Sequence, residues 1–453
     1  MPQRTLSEWL DIIEVTHPIE IEFGLERISQ VANRLGFSSS ELRTNKKYQS
    51  NKNSQKNLTK ELSPANKIII VGGTNGKGSC VAILDSILRK NGYKVGTYTS
   101  PHLIQFNERI TINGKHASDL DICLAFEEIN LARSSISLSY FEFSTLAALM
   151  IMANSDLDFA ILEVGLGGRL DAVNCIDSDL SIITGIALDH QQWLGDNLDL
   201  IGAEKASIGR INAPMIYGDT RPVSSVIATA KDLKVDLLLN GIDFNFEQFG
   251  ITDMTSLPSA SVTCAIKAAK ILDPNISKKI LSEGLNHTKI DGRFQKISLN
   301  GVNIILDVAH NPQASEMLAK RLLAFKSENR IIAITGIMSD KDILGILKPF
   351  IELVDLWNFC DIPNNKRACS AKEVASVVQK NYVKKKFKET CTASNPLSDN
   401  IYSDQQQYKF LEHSKPEDAI KKAIQSGSSG DTIIVFGSFL IVGPVLNWLN
   451  SLH

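Results

Sequence analysis

The stretch KIIIVGGTNGKGS, residues 67–79, constrains this chain more than any other part of it. Its first half is a short unbroken apolar run of the kind buried in a parallel sheet. A glycine-rich loop follows, and beyond it Val81, Leu84, Ile87 and Leu88 recur at helical spacing until Gly92. Strand, glycine loop and helix together form the arrangement in which backbone amides and a helix N-terminus converge on phosphate oxygens. The loop departs from the common G-x-x-x-x-G-K-[ST] pattern. Val71 stands where the first glycine belongs, Gly78 follows Lys77, and the hydroxyl comes one residue late at Ser79. A plain strand-to-helix turn with a solvent-facing lysine is the competing reading.

The rest of the chain supplies the context. The pattern predicts further strands at 94–99, 159–164 and 180–185, with a helix at 144–152 between sheet elements. This alternation implies a doubly wound, mostly parallel α/β domain. A second alternating set starts near Val302: NIILDVAHNP, RIIAITGI, LWNFCDI and TIIVFGSF read as strands, with helices near 312–323, 342–353, 371–379 and 416–426. Two α/β domains are therefore expected, 1–292 and a Rossmann-like 293–453, consistent with a chain of 453 residues that is too long for one ordinary core. Leu6 to Gly36 reads as helical, whereas the polar stretches 38–60 and 390–407 read as surface loops.

Composition excludes several classes. Apolar and charged contents of 43% and 22% are those of an ordinary globular protein. No apolar run is long enough to cross a bilayer, and the acidic residues within MPQRTLSEWLDIIEV argue against a signal peptide. The 7 cysteines lie singly, without metal-type pairs, so a reducing cytoplasm is expected. A net charge of −2 gives no general attraction to nucleic acid, and the run Lys384–Lys386 reads as a solvated face.

Three more motifs decide what the glycine loop does. TSPHL (99–103), LEVGLGGRLDAVN (162–174) and GIALDHQQWLG (185–195) each follow a predicted strand. Ligands bind at the C-terminal edge of a parallel sheet, so Lys77, Ser100, Glu163 and His190 should meet there. A hydroxyl, a carboxylate and an imidazole beside a triphosphate make a reasonable magnesium site. Taken singly, Ser100 could be a cap, Glu163 a buried ion-pair partner and His190 a structural histidine. Their shared edge favours the functional reading.

The ordered set GLERIS, GTNGKGS, TSPHL, SYFEFST, ILEVGLGGRLDAVN, IALDHQQWLG, EKA, GRFQ, DVAHNP, SDKD and GSF resembles the folylpolyglutamate synthases of the Mur ligase superfamily, most of all the bacterial bifunctional type. The resemblance runs from about Leu6 to Leu449. It implies an ATP-dependent ligase that joins a carboxylate to the amino group of L-glutamate through an acyl phosphate, with dihydropteroate and tetrahydrofolate as acceptors. It further implies that Asn75, Gly76, Lys77, Gly78 and Ser79 hold the phosphates and that Ser100, Glu163 and His190 hold magnesium. A second magnesium is expected near His190 and Lys205, with Lys205 carried as a carbamate. Arg293 and Asp307 match positions that contact the nucleotide, and His310 matches the residue near the incoming glutamate. The acceptor is assigned to Gly24, Leu25, Glu26, Arg27, Ser139, Tyr140, Phe141, Leu170, Asp171 and Ala172. Ser261 stands where the family carries an adenine-contacting Asn. A monomer that closes its domains over ATP is implied. A polyglutamate synthase without the first activity, and a P-loop switch without an acceptor, are the alternatives; the whole second domain argues against the switch.

Overall fold

A computed structural model describes residues 3–19, 22–37, 62–251, 257–325, 329–363, 365–380 and 409–452. The stretches 38–60 and 390–407 and Lys384–Lys386 lie outside the described residues. The chain divides into two compact units, Met1–Lys289 and Ile290–His453.

The first unit is built on an 8-stranded sheet. Its strands are β1 (Lys67–Gly72), β2 (Val95–Tyr98), β3 (Ile110–Ile112), β4 (Lys115–His116), β5 (Phe159–Glu163), β6 (Leu180–Ile183), β7 (Pro214–Tyr217) and β8 (Asp236–Leu239). They lie in the order β4-β3-β2-β5-β1-β6-β7-β8. Every pairing from β2 to β8 is parallel, while β3 and β4 run antiparallel at one edge. Side chains alternate across a strand, and β1 shows what that does in a doubly covered sheet. Ile68 and Ile70 join the core under helices Leu6–Thr16, Glu26–Leu35, Asp119–Arg133 and Tyr140–Ala153. Ile69 and Val71 face the other way, into the core under Lys77–Lys90, Ser259–Leu272 and Lys278–His287. That double burial is why the strand reads as an unbroken apolar run.

The 6-stranded sheet of the second unit has the strands β9 (Gln295–Leu299), β10 (Val302–Leu306), β11 (Ile331–Thr335), β12 (Leu356–Cys360), β13 (Lys409–His413) and β14 (Thr432–Phe436). Their order is β13-β12-β11-β14-β10-β9, parallel except for the β10–β9 pair. Helix Pro312–Ala324 leaves the end of β10, and residues 371–380 are helical.

Several sequence expectations are corrected. The helical segment expected over 6–36 is two helices, because Pro18 disfavours helical backbone at His17, which is extended at φ −115° and ψ 133°. The helix expected over 342–353 is helical only at Ile343–Leu347, then tightens to a 3₁₀ turn at Lys348–Phe350 around Pro349. Strand β9 follows the polar stretch around Arg293, and only alternate residues of this edge strand are sheltered.

Candidate active site

Four adjacent strands, β2, β5, β1 and β6, end side by side along one edge of the first sheet. Ser100 lies just beyond β2, Glu163 closes β5, the glycine loop leaves β1, and His190 follows β6. The loop turns into its helix at Gly76, whose φ of 82° is the left-handed conformation that favours glycine, and no side chain caps that helix start. The helix thus starts without a side-chain cap, at the positive end of its dipole, where an anion is favoured. Gly73 is demanded by space as well as by its φ of 133°, because a Cβ there would stand 2.1 Å from Thr184 Oγ1.

Residues remote in sequence hold the loop in shape. Thr184 Oγ1 donates to Asn75 O at 2.6 Å, and Ser261 Oγ donates to Gly76 O at 2.8 Å. Thr74 Oγ1 accepts from Ala187 N at 3.0 Å. The Ser261 hydroxyl is thus engaged by the loop itself. Lys77 Nζ bends back over the loop, donating to Gly73 O at 3.1 Å and Thr74 O at 3.3 Å. Ser79 is buried, and its hydroxyl makes no hydrogen bond among the described residues. An orphaned buried hydroxyl is costly unless something completes it. Its place on the first helical turn suits a phosphate or a metal that rides on one.

The other members gather around this turn. A methyl added at Gly78 would lie 3.4 Å from Glu163 Oε2, so the buried carboxylate sits against the helix start. The same Oε2 accepts from Ser100 N at 3.2 Å. His190 has a left-handed backbone, φ 51°, and its amide donates to Asp189 Oδ1 at 2.8 Å, with Nε2 at 3.9 Å from Asp189 Oδ2. Asp189 was not singled out from the sequence, although an acid directly before the histidine is a readable signal. Among the described residues no three His, Cys, Asp or Glu side chains are grouped to enclose a metal unaided. A hydroxyl, one carboxylate and one imidazole instead fit magnesium, which keeps waters and takes much of its coordination from phosphate.

Lys205 is buried in helix Leu198–Ala206 and donates to Gly167 O at 3.4 Å. Burial, and next the charge of Lys77, hold its amine down at about 7, against the opposing pull of Asp189, Asp171 and Glu204. A lysine so placed is substantially neutral near neutral pH.

The segments assigned to the acceptor also come together. Ser139 caps helix Tyr140–Ala153 in a reciprocal box with Glu142. Arg27 reaches Glu142 at 3.4 Å and Glu22 at 2.7 Å, which ties Gly24–Arg27 to Ser139–Phe141. Phe141 packs near Tyr98, with ring centroids 5.9 Å apart, and Tyr140 lies beneath the Arg109 guanidinium at 5.4 Å. Following Leu170, the Asp171 carboxylate accepts from Leu166 N and Val173 N, both at 2.9 Å, and caps the short turn at Ala172. Burial pushes this carboxyl up to about 6.

In the second unit, Asp307 follows β10 and accepts from Phe294 N and Ala309 N, both at 2.9 Å. Burial raises its pKa, and the charges of Arg293 and Arg321 work against that rise. Arg293 lies over the Phe439 ring at 5.3 Å. His310 Nδ1 is bonded to Val308 O at 2.8 Å, and its ring stands 5.9 Å from that of Phe439.

An uncapped glycine-loop helix at a parallel sheet edge, flanked by a hydroxyl, a carboxylate and an imidazole, defines an ATP-dependent ligase once the known proteins are set beside it. Residues 292–439 match the family described as Mur ligase, glutamate ligase domain. The chain is 36% identical over 382 residues to the dihydrofolate synthase/folylpolyglutamate synthase of Escherichia coli strain K12, covering 82% of this chain and 84% of that one. Escherichia coli FolC in complex with DHPP and ADP superposes with a TM-score of 0.84 at 32% identity, over 99% of this chain and 98% of that one. A bifunctional folylpolyglutamate synthase/dihydrofolate synthase with Mn, AMPPNP and L-glutamate bound gives a TM-score of 0.80 at 34% identity, over 99% and 98% of the two chains. This chain belongs to the bacterial dihydrofolate synthase/folylpolyglutamate synthase family, the ATP-dependent ligases that add glutamate in folate metabolism.

Proposed function

We propose that the chain adds L-glutamate first to dihydropteroate and then to tetrahydrofolate, each time through an acyl phosphate at the acceptor carboxylate. The single observation that carries this reading is the uncapped helix start at Gly76, with Lys77 folded over it and the buried Ser79 hydroxyl unpartnered among the described residues. A carboxylate is a poor electrophile, so the γ-phosphoryl group is transferred to it before the amine attacks. Such transfer depends on positioning and charge rather than on a protein nucleophile. Asn75, Gly76, Gly78 and Ser79 cradle the phosphates, and Lys77 turns from the loop carbonyls to the β- and γ-oxygens. Ser100, Glu163 and His190 would hold magnesium, which when bound neutralises charge on those oxygens.

Lys205 has the properties of a carbamylation site. The uncharged amine is the form that attacks carbon dioxide, and the burial that holds Lys205 low supplies that form. A carbamate there replaces a buried amine with an oxygen donor suited to a hard metal. Arg27, Ser139, Tyr140 and Phe141 receive the acceptor, with Gly24, Leu25, Glu26, Leu170, Asp171 and Ala172 shaping the surrounding loops. In the second unit, Arg293 and Asp307 serve the nucleotide. His310 serves the incoming amine, its Nδ1 fixed by Val308 O.

The test is ADP release from Mg-ATP and glutamate, with dihydropteroate added in one reaction and tetrahydrofolate in another. Turnover with both is expected. Turnover with tetrahydrofolate alone would leave a polyglutamate synthase, and ATP hydrolysis indifferent to acceptor would return the chain to the P-loop switches.

A further inference from the structure

Arg109 is buried, and among the described residues no carboxylate pairs with it. Its Nε donates to His102 Nδ1 at 2.8 Å, a bond that requires an unprotonated and hence uncharged acceptor nitrogen. Its guanidinium lies 5.6 Å from the centre of the Phe106 ring and 5.4 Å from that of Tyr140. Aromatic faces hold and orient a guanidinium, but they do not neutralise it. The neighbouring acid is turned away, since Glu108 accepts from the amides of Leu103, Ile104 and Gln105 at 2.6 to 2.8 Å. Among the described residues Arg109 makes no ion pair. A charge taken out of water is costly when it stands alone, so an anion supplied from outside is the natural complement.

The position of Arg109 says which anion. Its carbonyl accepts from Thr99 N at 2.8 Å, one residue before Ser100, whose own amide bonds Glu163. Its side chain lies over Tyr140, in the segment assigned to the acceptor. Arg109 is therefore joined by its backbone to the strand end that leads into Ser100, and by its side chain to the aromatic acceptor segment. A pterin acceptor and its glutamylated successor differ at their tails. Both bring to this place one carboxylate that must approach an already anionic triphosphate.

We propose that Arg109 binds the acceptor carboxylate that is to be phosphorylated, with Phe106 and Tyr140 fixing the plane of the guanidinium. Arg109 thus offsets the repulsion between two anions and aims one at the other. The inference rests on the acceptor reading given above. Arg109 is a substrate-binding residue in this account, and the histidine that accepts from it is a positioning residue.

The experiment is equilibrium binding in the presence of ADP, without turnover, using dihydropteroate and its analogue with hydrogen in place of the benzoate carboxylate. The wild-type chain should prefer the carboxylate ligand by about 10- to 100-fold, the scale of a charge-assisted contact. Arg109→Gln should erase that preference by weakening dihydropteroate alone, and Arg109→Lys should restore part of it. An unchanged preference in Arg109→Gln would overturn the proposal, and so would equal weakening of both ligands, the mark of a purely structural arginine. If Arg109→Gln no longer binds ADP, the comparison is made in Arg109→Lys, where a preference equal to the wild type would overturn it. A wild-type chain that binds both ligands equally also sinks the inference. A wild-type chain that binds neither sinks the acceptor reading instead.

Discussion

The two units solve the same local problem in opposite ways. Each has a parallel strand that ends in a loop and enters a helix: β1 into Lys77–Lys90, and β10 into Pro312–Ala324. In the first unit the helix start is left open, because Gly76 has no side chain to cap it. In the second it is closed: Asn311 Oδ1 accepts from Ala314 N at 3.0 Å, and Pro312 occupies the first turn. An open start is an anion site made of backbone, whereas a closed start can only carry function on its side chains. The same supersecondary unit thus gives an uncapped helix start in one place and a capped one, preceded by Asp307 and His310, in the other.

This contrast can be broken experimentally. Lys77→Ala should abolish acceptor-dependent ADP formation, with at least a ~10³-fold loss in kcat, the scale of removing a cation from a transferring phosphoryl group. Full turnover in that variant would mean that the open start is merely a turn. His310→Ala should slow amide formation by ~10²-fold, as expected for a lost proton-handling group, while nucleotide affinity measured by calorimetry stays within a factor of two or so. Asn311→Ala removes the cap and should lower unfolding free energy by about 1 kcal/mol or more in denaturant titrations, with kcat close to wild type at permissive temperature. A large kcat effect from Asn311→Ala would show that the closed start does more than hold the helix.

The smallest effect concerns Lys205. Its folded value, about 7, lies below the ordinary 10.5, so between those values the unfolded chain holds a proton that the folded chain lacks. Stability should therefore rise with pH across that window. In carbon dioxide-free buffer, thermal midpoints between pH 7 and 9 should climb less steeply in Lys205→Met than in wild type. Equal slopes would place the amine in water.

What could be read from the sequence follows from distance along the chain. The strand ends bearing Ser100, Glu163 and His190 were legible because buried parallel strands are continuous apolar runs, and the residues after them are polar for a reason. Thr184 was not legible as a loop support. Its hydroxyl meets Asn75 O across 109 residues, and Ser261 meets Gly76 O across 185. Nothing local marks either residue. Arg109 was missed for a related reason: in ERI it looks like one half of a local charge pair, and only the fold shows Glu108 turned to the backbone. The helical reading of 6–36 holds except for a break at Pro18, whose effect on the preceding residue outweighs good periodicity on both sides.

The uninterrupted run β2-β5-β1-β6 has a consequence for how the enzyme can fail. Neighbouring strands lie ~4.8 Å apart, and one residue advances a strand by ~3.3 Å. The residues that follow these strands are graduations on adjoining rulers. Displacing one ruler by a fraction of a mark would already carry its residue beyond bonding reach of the next, a shift too small to turn its side chains to the wrong face. Turnover is thus a vernier for the alignment of four strands, and a subtle dislocation in the sheet should silence the chain before any melting curve records damage.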